Sequence, residues 1–302
     1  MNILITGSTG FLGTALSEFL ENQGHKIFHL VRTQEESNDR IYWDIDRKYI
    51  DTRKLNVISS IDAVINLAGE NIAAGKWTKE VKQKIYDSRI NGTMLLANTL
   101  DKLGMNPKVW INASAVGYYG NTQDRLNYED SENGNDFLAH VCHDWEEIAF
   151  SAAGNETRVV ILRFGIILSK DGGMLGKILP VFKIGLGGIL GSGQQYFSWV
   201  AREDVINIIN FALNSDISGV YNTVSPDIVT NEEFTKSLCK ALNKPVFLTV
   251  PKFALKAAYG EMAEAILLAS TKASSEKIVS AGYHFMHPNL NEFLTDELES
   301  RK

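Results

Sequence analysis

Asn2-Ile3-Leu4-Ile5-Thr6-Gly7-Ser8-Thr9-Gly10-Phe11-Leu12-Gly13 opens the chain. Residues 2–6 are a short apolar run of β-type residues. Behind Gly13, the stretch Thr14-Ala15-Leu16-Ser17-Glu18-Phe19-Leu20 has a helical pattern. A strand, a glycine turn and a helix in that order make a pyrophosphate cradle. Gly7 permits the tight turn, and Gly10 lets backbone N–H groups approach a pyrophosphate with no Cβ in the way. Gly13 lets the helix pack closely on the strand, and the helix N-terminus adds a partial positive charge. Glycine spacing alone is weak; its place between a strand and a helix makes it specific. The competing reading is a tight turn with no ligand. Thr9, Phe11 and Leu12 join the three glycines as candidate cofactor contacts.

Outward from this stretch, strand and helix alternate for about the first 170 residues, which signals a parallel sheet covered on both faces. Strands are expected at 2–6, 26–31, 62–67, 108–113 and 158–163, and helices at 14–23, 78–103 and 136–153. Thr78 serves as the N-cap of the long helix, and Asn106-Pro107 as its stop. Eight glycines crowd residues 171–193, which reads as a functional Gly-rich loop or flap. After residue 225 the pattern turns mainly helical, at 231–242, 253–269 and 289–300. The fold class is therefore α/β: a Rossmann-like doubly wound parallel sheet over residues 1–225, with a smaller, mainly helical lobe over 226–302 on the substrate side.

The 302 residues are 44% hydrophobic and 22% charged, with a formal net charge of −6. An acidic balance without Lys/Arg runs argues against nucleic acid or a membrane surface as partner. Cys142 and Cys239 read as reduced thiols, which points to the cytoplasm. The six histidines show no metal spacing, so no metal is expected. The N-terminus lacks a basic region, and no apolar run approaches membrane-spanning length. An unknown small-molecule substrate is the expected partner; a homo-oligomer is left open.

The second strand chooses the cofactor. NAD sites place an acidic residue at its end to accept from the ribose hydroxyls. Here it runs His29-Leu30-Val31-Arg32-Thr33, with no acid before Glu35. Arg32 is placed to receive a 2′-phosphate, with Thr33 offering a hydroxyl. This favours NADP(H). The alternative is an Arg32 solvated at a strand end.

Several motifs resemble the extended, epimerase-like branch of the short-chain dehydrogenase/reductase superfamily. They are Gly7-x-x-Gly10-x-x-Gly13, Asn66-Leu67-Ala68-Gly69, Ser114 followed by Tyr118-Tyr119-Gly120, and Arg163-Phe164-Gly165. NLAGENI with Lys76-Trp77, SRINGT at 88–93, Cys142-x-x-Trp145-Glu146, residues 185–200 and VPKFAL at 250–255 resemble an atypical subgroup. Its members are labelled epimerase-family or cell-division-inhibitor-like proteins. The chain from about residue 247 is similar to that subgroup's small extra domain; residues 270–280 depart from it, lacking an expected proline. The resemblance implies that Leu67, Ala68 and Gly69 pass behind the nicotinamide ribose. It implies that Arg163, Phe164 and Gly165 form a turn before the substrate loop, and that Asp44, after Trp43, lies near adenine.

In that superfamily a Tyr-x-x-x-Lys pair moves the proton, with a serine orienting the substrate oxygen. Registered by Glu146, the tyrosine position here is Leu138 and the lysine position Cys142, and neither serves. Ser114 reads either as an orienting hydroxyl or as a backbone cap. Tyr118 and Tyr119 either present a hydroxyl or pack under their loop. Glu70 is a candidate substrate contact or a solvated charge, and Trp199 follows the Gly-rich flap. Cys142 reads as core. Three functions stay open: an NADP(H)-dependent oxidoreductase or epimerase-like enzyme, a regulatory protein that binds NADP(H) without hydride transfer, and a transferase or lyase keeping the dinucleotide as a structural group.

Overall fold

In the computed structural model, residues 1–154 and 156–299 are described. Eight strands form the main sheet in the order Gly219–Thr223, Arg158–Phe164, Val109–Ala115, Ala63–Asn66, Asn2–Thr6, Lys26–Val31, Arg40–Asp44, Tyr49–Ile50. Every neighbouring pair is parallel except the last. Strand order reverses beside Asn2–Thr6, so the glycine turn lies at the switch point, where open α/β sheets bind ligands.

Alternation along the strands fills both faces. Ile3, Ile5, Ile65, Ile111 and Val160 pack with Leu16 and Leu20 of the helix Phe11–Asn22 and with Val205 and Ile209 of Arg202–Asn214. Leu4, Val64, Trp110 and Ile161 pack with Leu96 and Leu100 of Lys79–Lys102. Thr78 caps that helix, accepting from Val81 N at 3.3 Å. Its stop lies before Asn106-Pro107. Gly104 takes φ +65°, and the amides of Gly104 and Met105 donate to the Asp101 and Leu100 carbonyls, both at 2.9 Å. That is a left-handed glycine cap, so the proline has no helix left to end.

Residues 171–193 are not a flap. They contain the helix Gly173–Lys183, which buries Leu175, Leu179 and Phe182, and the strand Gly188–Leu190, which pairs with Leu248–Val250. The apolar spacing i, i+4, i+7 outweighs the glycine count. Gly172 and Gly173 sit against the Phe11 ring, where added Cβ atoms would stand 2.6 and 3.1 Å from ring carbons. The expected helix at 253–269 is shorter, Lys252–Tyr259, followed by a π turn at Ala263–Leu267. The last helix is Leu290–Glu299; Ser300 of the expected 289–300 lies outside the described residues. The lobe's core draws on both sides of residue 225, joining Leu168, Leu175 and Trp199 to Phe234, Leu238 and Phe293. A short strand Lys272–Ala273 pairs with Leu126–Asn127, tying the lobe to the sheet domain. Among the described residues no helix is long and apolar enough to cross a membrane.

Candidate functional site

The glycine turn is built as a cradle. Gly7 takes φ +70°, and a Cβ there would stand 2.9 Å from the Leu67 carbonyl carbon. Thr6 fixes this approach: its Oγ1 donates to Asn66 Oδ1 at 2.7 Å and accepts from the amides of Leu67 and Ala68 at 3.1 and 2.9 Å. Gly13 brings the helix hard against the turn, since a Cβ there would lie 2.2 Å from Gly7 O. Gly10 is different. Its φ is −83°, open to any residue, and an added Cβ would meet one atom, Gly7 O at 3.2 Å. Glycine at 10 therefore answers a need outside the chain: space in front of the helix N-terminus. No side chain caps that terminus, and Ser8 Oγ is buried without a partner. Uncapped amides and an orphaned hydroxyl around a gap fit a diphosphate.

The structure brings Arg32 and Glu70 together beside this cradle. Arg32 Nη1 is 3.8 Å from Glu70 Oε2, with the arginine side chain 82% exposed. Glu70 thus lies against the Arg32 end of the cleft. Thr33 Oγ1 donates to Glu35 Oε1 at 3.0 Å. Asp44 holds its own strand end, accepting from Tyr42 Oη at 3.2 Å and Arg47 N at 3.0 Å.

At the other end lies a buried polar network. Ser114 Oγ donates to Glu146 Oε1 at 2.6 Å, and Arg163 grips the same carboxylate through Nε at 2.8 Å and Nη2 at 2.7 Å. Arg163 Nη1 reaches Tyr119 Oη at 3.0 Å, and that hydroxyl donates to Asn222 Oδ1 at 2.7 Å. Burial disfavours the guanidinium charge, but the hydrogen bonds and charge of Glu146 outweigh it and hold the Arg163 pKa above its ordinary value. Arg163, expected in the cofactor turn, sends its side chain into this network. Phe164 is buried, and Gly165 permits close approach to Ser198 O, 2.7 Å from a would-be Cβ.

The three candidate proton groups separate. Ser114 is buried and spends its proton on Glu146. Tyr119 is 1% exposed, and burial pushes its pKa up to about 12. Tyr118 stacks on Arg163, with Cζ 3.4 Å from its ring centroid, and its hydroxyl has no partner among the described residues. Trp199, expected beside the substrate, is fully buried instead: Nε1 donates to Asp227 O at 2.9 Å and the ring stacks on Phe293. Aromatic area in a small lobe goes to its core. Leu138 lies against Gly117, and the Cys142 thiol is buried, its pKa pushed up to about 11 by burial and then by the Glu146 carboxylate. In the sequence Glu146 is a register mark and part of the Cys142-x-x-Trp145-Glu146 motif, with no role in the site assigned to it. One acid in an apolar helix face and one arginine inside an apolar strand are the signal that pairs them.

The sequence matches the NAD dependent epimerase/dehydratase family over residues 3–223, and a domain of unknown function, DUF1731, over residues 250–297. The epimerase family protein Mb2239 of Mycobacterium bovis is 39% identical over 293 residues, 97% of this chain and 96% of its own. The epimerase family protein SDR39U1 of Homo sapiens is 34% identical over 300 residues, 98% of this chain and 99% of its own. A crystal structure of human SDR39U1 (isoform 2) with NADPH matches with a TM-score of 0.89 at 33% identity, over 99% of this chain and 100% of that one. UDP-glucose 4-epimerase of Thermus thermophilus in complex with NAD, at 18% identity and a TM-score of 0.73, shares the fold.

Proposed function

Because the chain belongs to the NAD dependent epimerase/dehydratase family, we propose that it is an NADP(H)-binding oxidoreductase or epimerase-like protein acting on a small molecule. The observation that carries the cofactor choice is Arg32, exposed at the end of the strand Lys26–Val31 where an NAD site has an acid. The human relative's crystallisation with NADPH supports it. NADP(H), when bound, supplies a hydride donor or acceptor. The turn Gly7–Gly13 would hold the diphosphate against the uncapped amides, and Arg32, now beside Glu70, would take the 2′-phosphate. Leu67, Ala68 and Gly69 wall the ribose, stitched in place by Thr6. Tyr118 is the group left to give or take a proton.

A second reading, NADP(H) bound as a signal without hydride transfer, is favoured by Leu138 and Cys142 at the registered tyrosine and lysine positions. General acid–base assistance contributes roughly 10²–10⁴-fold, and those two side chains supply none of it. Calorimetric titration tests the cofactor. NADPH should bind roughly ten- to a hundredfold more tightly than NADH, the range of a charge-assisted phosphate contact, and Arg32→Ala should erase the difference. Equal affinity in the wild type would make Arg32 a solvated charge. A substrate panel followed by absorbance of the reduced cofactor then separates the enzyme from the signal binder, and Tyr118→Phe locates the proton.

A further inference from the structure

Arg89, on the helix Lys79–Lys102, is a half-buried cation that neither the fold nor the contacts above use up. Its Nη1 donates to Ile85 O at 3.0 Å and Glu70 O at 3.2 Å. A guanidinium carries five N–H donors. Nε and Nη2, with the remaining three, have no acceptor among the described residues, and no described carboxylate lies within ion-pair range. The Glu70 side chain turns the other way, to Arg32. Leaving a part-buried charge without a counter-ion is costly, so native structures pair such groups or use them.

The position points to use. Arg89 lies against Gly69, where a Cβ would stand 2.7 Å from Cζ, so the glycine makes room for the guanidinium. Gly69 closes the segment that Thr6 stitches to the cradle. On another side Cζ is 5.2 Å from the ring centroid of Trp145. Trp145 is three residues beyond Cys142 and shares its helix face. The guanidinium is thus held beside the place where the superfamily's lysine would fall, but from a different helix. Burial lowers its pKa from arginine's ordinary value, with Cys142 and then the Glu70 charge opposing; an arginine so placed stays protonated.

We infer that Arg89 is an anion-binding residue of the cleft, its three open N–H donors and unneutralised charge taking a pair of phosphate or carboxylate oxygens presented beside Gly69. The inference rests on the reading of the cleft as a dinucleotide site. The oxygens belong either to the dinucleotide's diphosphate or to an anionic group on the substrate.

Titration of wild type, Arg89→Met and Arg89→Lys with NADPH, and separately with inorganic pyrophosphate, tests it. Loss of roughly ten- to a hundredfold affinity for both probes in Arg89→Met, partly restored in Arg89→Lys, is the expected result. Unchanged NADPH affinity, with inorganic phosphate bound by the NADPH-saturated wild type and not by Arg89→Met, supports the inference and assigns the anion to the substrate. Unchanged affinity for NADPH, pyrophosphate and phosphate overturns it. Where Arg89→Met does not fold by circular dichroism, Arg89→Lys carries the comparison: it keeps the charge but loses the fork, so wild-type affinity for all three probes overturns the inference. A wild type that binds no NADPH sinks the cofactor reading alone; pyrophosphate then decides Arg89.

Discussion

Gly10 and Gly13 stand three residues apart and answer an added side chain in opposite ways. Gly10→Val should abolish NADPH binding by equilibrium dialysis while the melting temperature stays near wild type, because the new Cβ meets only Gly7 O, at 3.2 Å. Gly13→Ala should instead destabilise the fold by roughly 1–3 kcal/mol, since its methyl lands 2.2 Å from Gly7 O. Wild-type affinity in Gly10→Val would put the diphosphate elsewhere. Cys142 gives a second test at this scale. Its thiol titrates near 9 when unfolded and at about 11 in the folded chain. The native state holds the proton longer, so the stability is complete below pH 9 and is lost as pH rises toward 11. Roughly 3 kcal/mol is at stake. Urea midpoints between pH 8 and 11.5 should fall less steeply for Cys142→Ala than for wild type; parallel curves would refute the shift. Gly13 was legible in sequence because it answers to Gly7, six positions back, whereas the approach of Gly7 to Leu67 depends on the neighbouring strand and was not. Trp199 and Tyr119 were not legible, because burial is decided by segments up to a hundred residues distant, as the Tyr119–Asn222 bond illustrates.

Among the elements, the C-terminal cap of Lys79–Lys102 offers the cleanest prediction. Gly104 has φ +65° and open space where a Cβ would go. Gly104→Ala should therefore cost about 1 kcal/mol through backbone conformation alone, read as a lowered denaturation midpoint with unchanged NADPH affinity. No loss would mean that the Pro107 stop carries the helix end after all. The inner strands were legible to within two residues because their apolar runs are continuous. Arg40–Asp44 and Gly219–Thr223 were missed: the first is short and polar at alternate positions, and the second begins at a glycine and ends in Asn222-Thr223. The helix Gly173–Lys183 was hidden by its flanking glycines, although Leu175, Leu179 and Phe182 trace one face.

For the whole molecule, ligand occupancy and stability are linked. NADPH at a hundred times its Kd should raise the unfolding free energy by about 2.7 kcal/mol. The lobe and sheet share Phe11, Gly172 and Gly173, so the shift should appear as one displaced calorimetric transition. A lobe transition that ignores NADPH would show that the two bodies are independent. The doubly wound sheet was legible from the alternation of strands and helices; the lobe was not, because its core is assembled from segments on both sides of the last sheet strand. The short pairing of Leu126–Asn127 with Lys272–Ala273 has a consequence for how the chain is made. Asn222 donates to Ser274 O at 3.0 Å, and Ala273 N to Ser198 Oγ at 3.2 Å, so three segments distant in sequence each take a bond from one late segment. During synthesis the sheet can close when residue 223 emerges, and Arg163 and Asn222 can then hold Tyr119 and Glu129, but Leu126–Asn127 gains its strand partner only some fifty residues later. Contacts spanning so much chain slow folding, and the rim of the cleft should be the last part of the newborn protein to set.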